Sequence, residues 1–97
     1  MVKSNIRTHR GTISELVAAV DLTEKGYEVF RALDPCASCD LIALKDGKTQ
    51  RVQVRTAHAH TRKDGTQKVN CLRKPEDAGR TDLYAFVFGT EVFYEPY

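Results

Sequence analysis

Residues 40–57, "DLIALKDGKTQRVQVRTA", contain two runs of alternating apolar residues on either side of Asp46-Gly47. An Asp-Gly pair between alternating runs is the strongest short-range signal for a tight β-hairpin. If this pair occupies the two central turn positions, the count along the ladder places Asp40 opposite Gln53. Because side chains alternate between faces, Gln53 and Arg55 share one face of their strand. The stretch therefore predicts a hairpin that ends in an acid, an amide and a guanidinium.

The segments on either side of this hairpin predict one helix and further strands. Apolar residues recur at helical spacing from Thr12 onward and Gly26 provides a C-terminal cap; the recurring residues are Ile13, Leu16, Val17 and Val20. "YEVFRAL" (27–33) alternates like a strand, and "RKDGTQ" (62–67) predicts a second hairpin tip. "DLYAFVF" and "EVFYEPY" predict a closing strand pair. The order indicates an α+β fold, with one N-terminal helix packed on a mixed sheet built around two hairpins.

Length and composition restrict the class of protein. At 97 residues, with residues 1–11 forming a basic N-terminal arm, we expect a single domain. The net charge of +2 is too small to indicate a nucleic-acid partner by itself. The chain has no apolar run of signal-peptide or membrane-helix type, so we expect an intracellular, cytoplasmic protein with no membrane contact. Three cysteines favour reduced thiols over a disulfide framework.

Four motifs follow one another in an informative order. Thr12-Ile13-Ser14-Glu15 stands at a helix start, "KGYEV" leads into a strand, Asp40 heads the next strand, and "QVRT" (53–56) lies on its partner. This order resembles the PD-(D/E)XK nuclease superfamily, especially the branch with archaeal Holliday-junction resolvases and a homing endonuclease whose motif is Gln-x-Lys. The resemblance implies a restriction-endonuclease-like fold. It also implies a metal-dependent DNA endonuclease that acts at branched or specific DNA sites.

The resemblance also implies roles for individual residues. Phosphodiester hydrolysis needs a metal that polarises the phosphoryl oxygen and lowers the pKa of an attacking water. By resemblance, Asp40 is the principal ligand of Mg²⁺ (or Mn²⁺), and Glu15 is a second ligand. Gln53 contributes its side-chain carbonyl and Val54 its backbone carbonyl, while Arg55 contacts the scissile phosphate. The implied catalytic residues are Glu15, Asp40, Gln53 and Arg55.

Two departures from the family pattern keep other interpretations open. Cys39 stands where the motif has Pro, and Arg55 replaces the usual Lys with a guanidinium that cannot give up its proton. Gln53 also leaves the site one negative charge short of the commonest version. A catalytically degenerate DNA-binding protein on the same fold is therefore an alternative. Glu15 has an alternative role too, because the sequence around it fits a helix capping box.

Basic residues and histidines on or beyond the hairpins form a candidate DNA-binding surface: Arg51, His58, His60, Arg62, Lys63 and Lys68. The alternative is that these residues only provide solubility. Duplex or branched DNA is the expected partner. Because one chain holds one candidate site, cutting both strands requires a homo-oligomer, either a dimer or a tetramer.

The cysteines allow a third hypothesis. Cys36-x-x-Cys39, together with His58, His60 and Cys71, could form a zinc site that stabilises an interaction module. Only one close pair has ligand spacing, however, so free thiols are the simpler interpretation.

Overall fold

The computed structural model describes residues 6–34 and 36–97. Helix α1 (Ile6–Glu24) precedes a series of strands. These are β1 (Glu28–Arg31), β2 (Leu41–Lys45), β3 (Lys48–Thr56), β4 (His58–Thr61), β5 (Gln67–Asn70), β6 (Leu83–Phe88) and β7 (Glu91–Pro96), with a 3₁₀ turn at Pro75–Asp77 between β5 and β6. The predicted α+β architecture, with one helix on a mixed sheet, is confirmed.

Five strands form one sheet in the order β1-β2-β3-β6-β7, and β4 and β5 form a separate two-stranded sheet. Neighbours in the large sheet are antiparallel except for β3 and β6, which run parallel. A parallel pair requires a long connection between its strands. Here residues 57–82 form that connection, and they include the β4–β5 hairpin and the 3₁₀ turn.

The first hairpin has the predicted turn and register. Asp46 and Gly47 both have positive φ angles, of 53° and 75°, which is the conformation of a type I′ turn. Lys45 pairs with Lys48, and the ladder continues to Leu41 opposite Val52. The second hairpin is also confirmed. Its loop is longer, because the strand pairing ends at Thr61 opposite Gln67, and within the loop the Asp64 carboxylate accepts a hydrogen bond from the Thr66 backbone N–H.

The helix begins earlier than the sequence predicted. Residues 6–11, expected in an extended arm, are helical, and residues 1–5 of that arm lie outside the described residues. Glu15 therefore occupies the third turn of α1, so its predicted capping-box role is wrong. The C-terminal cap is as predicted. Gly26 has a φ of +92° and donates its N–H to the Thr23 carbonyl, while Tyr27 donates to Leu22 in a Schellman motif.

The main core lies between α1 and the sheet. Ala18 and Leu22 from the helix pack against apolar side chains from three strands, namely Leu41, Ala43, Val52, Val54, Ala85 and Val87. A smaller cluster of Ala57, Tyr84 and Phe86 is buried separately from this core. Among the described residues, no helix combines the length and the apolar character needed to cross a bilayer.

Candidate active site

Asp40 lies immediately before β2, where it joins that strand to β3. Its backbone N–H donates to the Val52 carbonyl at 3.1 Å, and its Oδ2 accepts from the Val54 backbone N–H at 2.8 Å. The paired residues of β2 and β3 end at Leu41 opposite Val52, and the Asp40 N–H bonds to Val52, so the predicted pairing of Asp40 with Gln53 lies beyond the observed ladder. The carboxylate is thus fixed by backbone contacts at the end of two central strands.

Glu15 borders the same cleft as Asp40, although 25 positions separate them in the chain. The cleft has a volume of about 260 Å³. Next to Glu15 in the chain, the Ser14 hydroxyl forms a hydrogen bond with the Thr56 hydroxyl at 2.7 Å. This contact holds the third turn of α1 against the end of β3. The Arg31 guanidinium lies 3.4 Å from the Glu15 carboxylate. The structure therefore brings together the two carboxylates that the resemblance assigned to a metal.

Both carboxylates are harder to ionise than ordinary ones. Burial raises the pKa of Asp40, and this exceeds the opposing effect of the hydrogen bond from Val54. Burial also raises the pKa of Glu15, and the negative charge of Asp40 raises it further. Two partly desolvated carboxylates that repel each other gain stability from a nearby cation.

Gln53 provides the observation that best tests whether a metal fits. Its side-chain oxygen is buried and has no hydrogen-bond partner within the described residues. A buried polar atom without a partner is costly and uncommon in folded proteins. An amide oxygen and one or two carboxylates are ligands that Mg²⁺ accepts. Asp40 and Glu15 border one cleft, and Gln53 follows Val52, which accepts the Asp40 N–H, so these residues offer oxygen ligands of the type that a hard divalent cation binds.

Arg55 is held by a residue that the sequence analysis missed. Its terminal nitrogen Nη2 lies 2.9 and 2.8 Å from the two carboxylate oxygens of Asp77, in the 3₁₀ turn. The Tyr84 hydroxyl donates to the same carboxylate at 2.7 Å. Burial raises the pKa of Asp77, but the hydrogen bonds from Tyr84 and Arg55 outweigh it and leave that pKa below its usual value. Arg55 is thus part of an ion pair, next to a cleft of about 640 Å³.

No sequence signal identified Asp77, because it lies 22 residues beyond Arg55 in a polar connection. Only the parallel pairing of β3 with β6 brings this connection back over the face that carries Arg55. Arg55 pairs with Phe86 and Gln53 with Tyr84 in that ladder, so the four side chains share a face.

The predicted DNA-binding residues fall into two groups. Five of them are exposed on the second hairpin or its loop: His58, His60, Arg62, Lys63 and Lys68. His60 pairs with Lys68, so their side chains share one face of that hairpin. Arg51 lies elsewhere and has internal partners, because it donates to both Asp82 carboxylate oxygens and to the Gly79 carbonyl.

The proposed zinc ligands are not assembled. Cys36 and Cys71 are exposed, Cys39 is partly buried, and all three are free thiols. Across residues 6–34 and 36–97, no group of three or more His, Cys, Asp or Glu side chains is arranged to hold a metal. The Mg²⁺ donor set described above contains only two carboxylates and an amide, and is a different type of site.

Comparison with known proteins identifies the family of this chain. Residues 6–85 match the PD-(D/E)XK endonuclease family. The chain is 33% identical over 92 residues to Protein 5.3 of Escherichia phage T7, covering 91% of this chain and 78% of that protein. Its fold is similar to that of the bacterial homing endonuclease I-Ssp6803I, with a TM-score of 0.67 at 16% identity, over 92% of this chain and 68% of the other. The chain belongs to the PD-(D/E)XK endonuclease family.

Proposed function

We propose that this protein is a metal-dependent DNA endonuclease that hydrolyses phosphodiester bonds, with Mg²⁺ or Mn²⁺ as cofactor. The observation that carries the proposal is the side-chain oxygen of Gln53, which is buried, has no hydrogen-bond partner within the described residues, and belongs to the residue after Val52, the acceptor of the Asp40 N–H. Family membership supports the reaction class. Branched DNA and specific duplex sites are the candidate substrates, as for a junction resolvase or a homing endonuclease.

Each residue of the proposed site has a distinct task. Asp40 anchors the metal, since the Val54 N–H already fixes the orientation of its carboxylate. Glu15 and the Gln53 oxygen are further ligands, and the Val54 backbone carbonyl completes the set. When bound, the metal polarises the phosphoryl oxygen and acidifies water.

Arg55 supplies a fixed positive charge toward the scissile phosphate, and Asp77 holds that charge in position. Because Arg55 cannot act as a base, its contribution is electrostatic. Residues of the second hairpin contact the DNA backbone on the side of the protein that carries Arg55. His58 from this hairpin and Lys74, which follows it in the chain, border the cleft next to Arg55. The protein acts as a homo-oligomer, so that two sites can cut two strands.

A specific observation favours one rival function. The Arg55 guanidinium is already paired with Asp77, and it stands where the family motif has a lysine. A catalytically degenerate DNA-binding protein would have this arrangement too. In that case the hairpin still contacts DNA, but no divalent metal supports cleavage.

Cleavage and metal binding can be tested separately. Purified protein is incubated with duplex and four-way-junction DNA in the presence of Mg²⁺ or Mn²⁺, and thermal unfolding is measured with and without the same ions. A nuclease is expected to cleave DNA and to gain thermal stability from the ion, because ligands that bind only the folded state stabilise it. Asp40→Asn should lose both effects and keep its fold. A wild-type protein that binds DNA, but neither cleaves it nor responds to the ions, would support the degenerate function.

A further inference from the structure

Helix α1 has apolar side chains on two opposite faces. Ser14, Ala18 and Leu22 are buried at the sheet. The apolar residues with the clearest helical spacing lie on the other side: Ile13, Leu16 and Val20 are 58%, 49% and 58% exposed. At 100° per residue, these three side chains and Val17 fall within an arc of about 100°. A helix with apolar residues on both sides normally has a partner on both sides.

This outer face of α1, defined by Ile13, Leu16, Val17 and Val20, borders a groove of about 370 Å³. Val17 lies at the edge of this face, because it is partly buried and also packs against the main core. The groove also involves Asp21, Glu24 and Thr90. It lies apart from Glu15, which borders the cleft of the candidate active site. An exposed, contiguous apolar surface with charged residues at its edge is typical of a protein interface.

We propose that the outer face of α1 is the interface with a second copy of this chain, packed as an antiparallel helix pair about a twofold axis. If the twofold axis passes between Leu16 and Val17, the numbers of two residues that face each other across the interface sum to 33. Leu16 then lies opposite Val17 of the partner subunit, and Ile13 lies opposite the partner's Val20. Each of these contacts occurs twice because of the symmetry.

Arg10 near one end of the helix and Glu24 at the other carry opposite charges, and these charges select this arrangement. His9 and Arg10 are exposed near the N-terminal end, and Glu24 is exposed at the C-terminal end. The same register places His9 opposite the partner's Glu24, with Arg10 on the adjacent flank. A parallel pair would instead place Glu24 beside the partner's Glu24 and repel. Antiparallel packing also aligns the helix dipoles favourably.

The antiparallel pair has the dimensions of an isologous interface. The 19 residues of α1 make a helix of about 28 Å, so the apolar centre and both charged ends lie along one continuous contact. A single sequence that supplies an apolar centre and opposite charges at its two ends is self-complementary, which is the requirement of a twofold interface. No other protein needs to be invoked to satisfy it.

The test measures the oligomeric state of the whole chain by sedimentation equilibrium, without DNA or metal, so the result does not depend on nuclease activity. The wild type should form dimers, and Val20→Arg should weaken association at least about tenfold, the equivalent of about 1.4 kcal/mol. Val69→Arg is the matched control, because Val69 is exposed on β5 of the separate hairpin sheet. It should leave association unchanged. Far-UV circular dichroism confirms that each variant is folded.

A charge reversal tests the antiparallel register independently of the apolar contacts. Glu24→Arg should weaken dimerisation, and adding Arg10→Glu should restore it, because the reversed pair attracts again. A wild-type chain that stays monomeric overturns the proposal and means that the outer face serves a different partner. A dimer that withstands Val20→Arg and Glu24→Arg overturns it too.

Discussion

The ion pair between Arg55 and Asp77 gives the sharpest prediction about stability. The two side chains are only 22% and 7% exposed, and Asp77 also accepts the Tyr84 hydroxyl. Asp77→Ala leaves the guanidinium partly buried without its counter-charge, and its Nε has no partner within the described residues even in the wild type. Removing one partner of a buried pair costs about 3–5 kcal/mol. That is a large share of the roughly 5–15 kcal/mol by which a domain is stable.

Urea unfolding followed by circular dichroism measures this loss. With a slope of about 1–3 kcal/mol per molar urea, the midpoint should fall by at least about 1 M. Asp82→Ala is the control, because it removes the partner of another arginine, Arg51, in a pair whose side chains are 42% and 40% exposed. The control should cost much less, since solvent screens exposed pairs.

A double variant distinguishes the loss of the pair from a loss of packing. Combining Asp77→Ala with Arg55→Met should cost less than the sum of the two single changes, because the unpaired charge is then absent. A buried ion pair is refuted as the cause if Asp77→Ala costs no more stability than Asp82→Ala. It is also refuted if the losses from Asp77→Ala and Arg55→Met are additive.

Three further predictions concern other parts of the molecule. Burial raises the pKa of Asp40, so ionisation of this carboxyl group opposes folding. In metal-free urea titrations, the stability of the wild type relative to Asp40→Asn should therefore fall as pH rises from about 4 toward neutrality. A stability difference that does not change with pH would contradict this. Gly11 lies inside α1, and a Cβ added there would meet no atom within 4 Å. Gly11→Ala should therefore stabilise the protein by about 0.5–1 kcal/mol, measured by thermal unfolding. A loss of stability would indicate that another group approaches Gly11 closely. Replacing Arg62, Lys63 and Lys68 together by Ala should weaken DNA binding and flatten its salt dependence in fluorescence anisotropy titrations, and an unchanged slope would exclude the hairpin from the interface.

Local signals in the sequence were sufficient for the central hairpin. A type I′ turn requires positive φ at both central residues, and Asp46-Gly47 meets that requirement, so the register from Lys45 opposite Lys48 to Leu41 opposite Val52 could be counted in advance. The α+β class followed from the order of helical and alternating patterns. These features depend on neighbours in the chain, which a single sequence displays directly.

The features that were missed depend on contacts between distant segments. The first turns of α1, residues 6–11, are polar and basic, so they lack the apolar periodicity that marks a helix. The spacing of Leu16 and Val20 identified a helix but could not show that these residues point away from the sheet. Asp77 could not be assigned, because nothing local links it to Arg55.

The parallel pairing of β3 with β6 has a consequence for how this protein can change over evolution. The connection between these strands leaves the sheet and returns, and its β4–β5 hairpin shares no backbone hydrogen bonds with the five-stranded sheet. Lengthening such an excursion is inexpensive, because each doubling of a flexible loop costs only about 0.6 kcal/mol. The segment that carries His58, His60 and Lys68 can therefore be exchanged or extended while the strands holding Asp40 and Gln53 keep their register. Under the proposed function, substrate preference would therefore diverge between relatives faster than the hydrolytic chemistry.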